Sequence, residues 1–345
     1  NRMIVDLQGS GAGMSEAGVS EERNAHWISG FWRRIGAFAI DSVILGVVGF
    51  GLALFFERQF VQLGGWGRLV GFLVALFYFG MLNSRLAGGQ TIGKRILGIR
   101  VVDGNNTPVD LPRSFVRYSI IGVPFFLSGA RFTHEVATSF WMYPISIVTV
   151  GGGLSVAYLY VFNRVTRQSL HDLAVGSYVV DAQARKEQPG TLWRPHLIAV
   201  ALLSIVGVLP PAFASILLND APLEDLFAAR AVLMEHPSAS CVDVYSGTAT
   251  RSSSSGETTS TNSLSARVML ESNTISDAAL AESLATMLVR SHSSASEVDV
   301  IEIVLAYGYD IGIVSWWTEQ AHAYGPTDLI DENRAVSDRP KTDPG

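Results

Sequence analysis

Charge is scarce in this chain. Asp, Glu, Lys and Arg make up 16% of its 345 residues, against a usual share of about 25%. That shortage argues against a large water-soluble enzyme. Cysteine is scarcer still. Cys241 stands alone, so no intrachain disulfide can form, and a domain outside the cytoplasm must be stable without one. A lone small apolar side chain of this kind is expected to be buried.

Catalytic and ligand signatures are missing too. Neither G-x-S-x-G nor H-E-x-x-H occurs. His134, His171, His196, His236, His292 and His322 are scattered, without metal-ligand spacing. No enzyme activity, cofactor or metal centre is expected. Gly88–Lys94 lacks the spacing of a phosphate loop, and Arg95 stands where Ser or Thr is needed. A cleavable leader is not expected, because the first apolar run begins late and exceeds a signal core in length. Residues 1–13 end in Gly9-Ser10-Gly11-Ala12-Gly13 and are expected to be a non-native extension ahead of a start at Met14.

What is present is apolar length. A helical span needs about 20 apolar residues. Ile35–Phe56 qualifies, with Asp41 as its one ionisable residue. Leu69–Ala87, Met142–Phe162 and Leu197–Leu218 also qualify, and Pro210-Pro211 should kink the last. Tyr118–Ala130 is short and contains Pro124. Positive residues mark the cytoplasmic loops. They lie at Arg33 and Arg34, at Lys94, Arg95, Arg100, Arg113 and Arg117, and at Arg164, Arg167, Arg185, Lys186 and Arg194. Loops 88–117 and 163–194 then share a side, which requires Tyr118–Ala130 to cross. The expectation is a helical membrane bundle of about five transmembrane helices, with the N-terminus cytoplasmic.

The charge is also divided. Residues 1–218 hold 18 Lys and Arg against 12 Asp and Glu; residues 219–345 hold 7 against 19. A basic membrane half next to an acidic half suits an exported C-terminal domain of a bacterial plasma-membrane protein. Its acidity excludes nucleic acid and anionic lipid as partners of that domain. Hydrophobic periodicity there predicts a helix over 222–236, strands over 240–248 and 264–271, a Ser-capped helix over 276–291, and strands over 298–306 and 311–317. That order gives a small α+β domain, with 251–262 as a mobile loop and one of Trp316 and Trp317 in the core. Within loop 88–117, Ile99–Asp103, the turn Gly104-Asn105-Asn106 and Thr107–Leu111 predict a local hairpin.

The expected divisions are an N-terminal tail over 1–26, a membrane domain over 27–181, a linker and last span over 182–218, the α+β domain over 219–324, and a disordered tail over 325–345.

Three patches in the membrane half carry a resemblance. They are Arg33-Arg34-Ile35-Gly36-Ala37-Phe38-Ala39-Ile40-Asp41, then Gly89-Gln90-Thr91-Ile92-Gly93-Lys94-Arg95-Ile96-Leu97-Gly98-Ile99-Arg100-Val101-Val102, then Arg167-Gln168-Ser169-Leu170-His171-Asp172-Leu173-Ala174-Val175-Gly176-Ser177-Tyr178-Val179-Val180. In order and spacing they resemble the RDD family of membrane proteins over residues 27–181. The resemblance implies Arg34, Asp41 and Asp172 as the named residues, with Arg33 a competing choice. It also implies transport of an ion or small solute, such as sodium–proton exchange.

The residues support two readings. Arg34 and Asp41 are seven apart, so they share one helix face, with Asp41 about 10 Å deeper. A carboxylate at that depth needs a partner, and Lys94, Arg95 or the third patch can supply one. His171 adjoins Asp172. In one reading the carboxylates exchange a cation or proton. In the other they form a structural network that clamps the first span. A non-enzymatic scaffold, with the outer domain binding a partner protein, is the alternative function. The glycines at 46, 49, 51 and 151–153 permit close helix approach.

Overall fold

The computed structural model describes residues 27–130, 132, 136, 138–217, 221–252 and 258–329. The expected N-terminal tail and extension, His134, and most of the C-terminal tail lie outside them.

The first apolar run forms α1 (Phe31–Leu63), which starts at Gly30 without a side-chain cap. Its buried residues Arg34, Ala37, Asp41, Leu45, Gly49 and Ala53 recur every three or four positions and form one stripe. The helix kinks at Phe56 and stops at Gly64, whose φ of 51° lies in the left-handed region. The chain then turns back into α2 (Gly67–Leu82). A third helix, α3 (Ile92–Ile96), is one short turn capped by Thr91. Strand β1 (Ile99–Asp103) follows. Next comes α4 (Leu111–Leu127), capped by Asp110 and carrying Pro124 inside.

Met142–Phe162 forms α5, whose middle, Ile147–Gly151, widens into a π-helix. A short helix α6 (Leu170–Val175) leads to β2 (Ser177–Asp181). The last apolar run is divided into α7 (Pro195–Val206) and α8 (Leu209–Leu217). The break falls just before Pro210-Pro211, which occupy the first turn of α8, where a missing N–H costs nothing.

Three stretches among the described residues are long and apolar enough to cross a membrane: Phe31–Leu82, Met142–Phe162 and Pro195–Ala214. The first holds 52 residues and comprises both α1 and α2. The expected count of five is not confirmed. The segment expected over Tyr118–Ala130 lies in the 17-residue α4, which begins in the basic loop and buries Arg117.

The expected local hairpin is also corrected. β1 pairs antiparallel with β2, Val101 opposite Val179, and only an isolated bridge joins Val102 to Pro108. Proline donates no ladder hydrogen bond, so 107–111 makes a poor strand. Trp27 is fully buried and packs with Val102 and Val180.

The C-terminal region is an α+β domain. Helix α9 (Ala221–Met234) precedes β3 (Ala239–Ser252) and β4 (Thr258–Leu270). Helix α10 (Ala278–Ser291) then crosses to β5 (Val300–Asp310), which returns as β6 (Ser315–Tyr324). Sheet order is β3-β4-β5-β6, parallel only between β4 and β5. Leu264, Val268, Ile301, Ile303 and Leu305 pack against Leu284 and Leu288 of α10 and Leu233 of α9.

Several local expectations differ from what is found. Strands β3 and β4 run well into the expected loop over 251–262. Asp277, not Ser276, caps α10. Cys241 is only half-buried. Trp316 is 45% exposed and Trp317 lies half-buried under Arg267, so neither is in the core. The tail does not loosen at once, since 326–329 is helical and Leu329 is buried in the domain core.

The largest departure is at 311–314, which was expected to begin a strand. It is the turn between β5 and β6, with Gly312 at φ 80°. Its apolar side chains enter the helical bundle. Ile311 packs with Ala53, Phe60 and Val61 of α1, and Ile313 reaches Leu45, Phe79 and Phe126. Arg68 of α2 pairs with Asp310 at 3.2 Å beside this tip. Gly49, expected to receive another helix, instead faces Ile313 and Val314. Gly151 does serve a helix contact, since a Cβ there would stand 2.9 Å from Ser204 Cα on α7.

Candidate functional site: two buried aspartates

Asp41 lies on α1 about 15 Å along the axis from Phe31 and has 0% exposure. Its carboxylate accepts three hydrogen bonds, from Tyr78 Oη at 2.7 Å, Thr91 Oγ1 at 2.6 Å and the Gly93 amide at 2.8 Å. Two of those donors sit at the start of α3, where a helix N-terminus favours an anion. Glycine is required at 93, because a Cβ would overlap the Ala37 carbonyl and stand 3.0 Å from Asp41 Oδ1. Asp41 thus ties α1 to α2 and to α3.

All three donors are neutral. Lys94 donates to Asn83 Oδ1 at 2.7 Å and lies 5.9 Å from the centre of the Phe79 ring. Burial, then the charge of Arg117, pushes its pKa down to about 7. Arg95 is exposed and makes no side-chain hydrogen bond or ion pair among the described residues. Neither basic residue is the direct partner of Asp41.

Asp172 forms a second nest, 1% exposed, on α6. Arg117 of α4 grips Oδ1 with Nη2 at 2.8 Å and Nε at 2.9 Å, and Ser177 Oγ donates to the same oxygen at 2.8 Å. Arg34 Nη1 stands 4.0 Å from Oδ2. Its stronger bonds go to main-chain carbonyls, those of Arg167 and of Val179, the latter at 2.9 Å. Burial alone would raise the Asp172 pKa, but Arg117, with His171 and Arg34, outweighs it and holds the carboxyl well below the usual range.

The His171 ring lies 3.4 Å from Asp172, yet burial pushes its pKa down to about 3. At neutral pH the ring is uncharged and this contact is not an ion pair. The charge on Asp172 is balanced chiefly by Arg117.

The lowered His171 pKa has a thermodynamic consequence. Unfolded, the ring binds a proton as pH falls below about 6.5; folded, it resists until about pH 3. Stability is therefore full above pH 6.5 and declines between those limits, by up to about 1.4 kcal/mol per pH unit. Thermal unfolding of the detergent-solubilised protein should show that slope, and His171→Gln should flatten it. An unchanged slope would show that another group carries the effect.

The β1–β2 pairing brings the second patch to the third, and the first patch clamps both. Arg33 donates to the carbonyl of Leu97 at 2.6 Å and pairs with Asp181 at 2.5 Å. Its side chain is 43% exposed, whereas Arg34 is buried. Arg34 is thus the arginine of the Asp172 nest, although Asp41 and Asp172 occupy separate nests. Sequence reasoning missed Arg117, Tyr78, Thr91 and Ser177. Arg117 was visible only as one of several loop charges.

A helical membrane domain, closed at its basic end by a two-stranded ribbon and holding the buried carboxylates of Asp41 and Asp172, defines the class. Residues 28–176 match the model of the RDD family. The uncharacterized protein YckC of Bacillus subtilis (strain 168) is 27% identical over 174 residues, which cover 48% of this chain and 92% of YckC. The dipeptide transport system permease protein DppB of the same organism is 26% identical over 140 residues, 39% of this chain and 46% of DppB. No solved structure matches. Beyond the family range lies the α+β domain.

Proposed function

We propose that this protein moves an ion or small solute across the bacterial plasma membrane, with the Arg/Asp network as a proton-sensitive latch at its cytoplasmic end. The observation that carries the reading is Asp41. It is a fully buried carboxylate that holds α1, α2 and α3 together through three donors. As an anion it accepts all three bonds. Loss of that negative charge would weaken all three bonds and free α3. Lys94, whose pKa is pushed down to about 7 by burial, adjoins Gly93 at the start of α3 and loses its charge near neutral pH. The match to part of a permease supports transport. Full burial and three protein donors favour a latch over an ion seat at Asp41.

The positive loops around Arg33, Arg100, Arg113 and Arg164 support a cytoplasmic basic end. The α+β domain then lies outside the cell. In intact cells an impermeant maleimide should label a Ser246→Cys variant in a Cys241→Ser background, since Ser246 is exposed on β3. Labelling only after lysis would reverse the orientation.

Function is tested in proteoliposomes holding a pH-sensitive dye, with sodium, potassium or dipeptide gradients imposed. Wild-type protein should couple one gradient to proton movement. Asp41→Asn should abolish that coupling while keeping most of the melting temperature. Flux that survives Asp41→Asn, in protein that merely melts earlier, would make Asp41 a clamp and nothing more.

A further inference from the structure

A cavity of ≈ 330 Å³ opens at the basic end between α1 and the end of α5, lined by Phe31, Arg34, Tyr160, Arg164 and Arg167 among others. No carboxylate lines it among the described residues. Three guanidinium groups therefore share one small space. Asp172 is engaged mainly by Arg117, and Asp181 by Arg33.

Arg34 is the decisive residue. It is 7% exposed, and its Nε is buried without a hydrogen-bond partner among the described residues. A buried guanidinium nitrogen left unpaired is costly. Arg34 already gives its terminal nitrogens to main-chain carbonyls, which do not neutralise charge. Arg167 adds a second oddity. It is a non-glycine residue at φ 50°, a strained conformation that persists where the surroundings demand it. That backbone turns its carbonyl to Arg34, while its Nη1 donates to the Ser29 carbonyl at 3.1 Å. Arg164 is exposed and makes no side-chain hydrogen bond or ion pair among the described residues.

We infer that this cavity binds a phosphate-bearing anion, namely the headgroup of an anionic membrane lipid. Guanidinium groups match phosphate oxygens in charge and geometry. The lipid source follows from the neighbouring side chains. Trp32 is 79% exposed, Phe162 58% and Val165 59%, and all three border the cavity residues in sequence. Exposed apolar side chains next to a basic pocket, with the Trp32 ring 5.3 Å from that of the lining Phe31, suit acyl chains beside a phosphodiester. The inference needs only the membrane placement of α1 and α5, not the latch.

The experiment is native mass spectrometry of the full chain, released from detergent after incubation with phosphatidylglycerol or phosphatidylcholine. Phosphatidylglycerol should be retained several-fold more. Arg164→Gln and Arg167→Gln should each weaken that retention about fivefold. Both alter side chains outside the buried pairs, so the fold survives. Excess inorganic phosphate should leave the lipid adduct in place. Equal retention of the two lipids, or full retention in the double variant, overturns the site. Displacement by inorganic phosphate overturns the lipid source in favour of a soluble anion. None of these outcomes depends on the flux result for Asp41→Asn, so the two readings fail separately.

Discussion

Asp172→Asn should destabilise the membrane domain by about 3–5 kcal/mol, the usual cost of removing one partner from a buried ion pair. The side chain keeps its shape, so no cavity explains the loss. What changes is charge. Arg117, 6% exposed, would face a neutral amide at 2.8–2.9 Å, and Arg34 would lose the nearest anion. The double variant Arg117→Met with Asp172→Leu should lose less than Asp172→Leu alone, because Arg117 is then not stranded, and the loss that remains reports Arg34. Thermal unfolding in detergent measures all three. Additive losses, or a wild-type melting point for Asp172→Asn, would remove Asp172 from its structural role. Asp41→Asn offers a contrast. Its donors are neutral, so its cost should be nearer the 1–3 kcal/mol of a mismatched buried hydrogen bond. The two aspartates should therefore separate, Asp172 dominating stability and Asp41 dominating flux.

That separation was not legible in the sequence. Periodicity placed Arg34 and Asp41 on one face of α1, and both are buried there. It could not say which group meets which carboxylate, because the partners come from distant segments. Tyr78 and Thr91 carry no charge and left no signal in a search for cations. Arg117 was read as a marker of topology, yet it reaches Asp172 across 55 residues. The β1–β2 ribbon failed for a related reason. Gly104-Asn105-Asn106 does turn the chain, with Asp103 accepting from the Asn105 and Thr107 amides. Local turn chemistry is satisfied without a hairpin, and the strand partner lies in the third patch. The apolar runs themselves were legible because length and composition suffice. The order of helices and strands in the α+β domain followed from periods of 3.6 and 2. The run Ile311-Gly312-Ile313-Val314 misled because a short apolar segment suits a buried strand and a buried turn equally well. It is apolar because it is buried in another domain.

The Gly71→Val variant tests that burial. A Cβ at position 71 would overlap the Ile311 carbonyl oxygen, stand 2.9 Å from its carbon and 3.3 Å from Phe126 Cε1. The oxygen belongs to main chain, so no rotamer change relieves the clash. Helix propensity predicts no harm, since valine is the better helix former. Any destabilisation therefore reports the tip. The tip should leave the bundle, with loss of the Arg68–Asp310 pair and re-exposure of Ile311, now 0% exposed. Burial of one such side chain contributes about 1.5–3 kcal/mol. Amide exchange should rise sharply at Ile311, whose N–H donates to the Val314 carbonyl at 3.1 Å, and at Gly312, whose N–H donates to Asp310 Oδ1 at 2.7 Å. Gly51→Val is the control, because a Cβ there meets nothing within 4 Å. Equal exchange in both variants would mean that the tip does not depend on α2. The consequence reaches the buried carboxylate. Leu45, which Ile313 helps to cover, lies one helical turn beyond Asp41 on the same stripe, so expelling the tip uncovers the far side of the packing above Asp41.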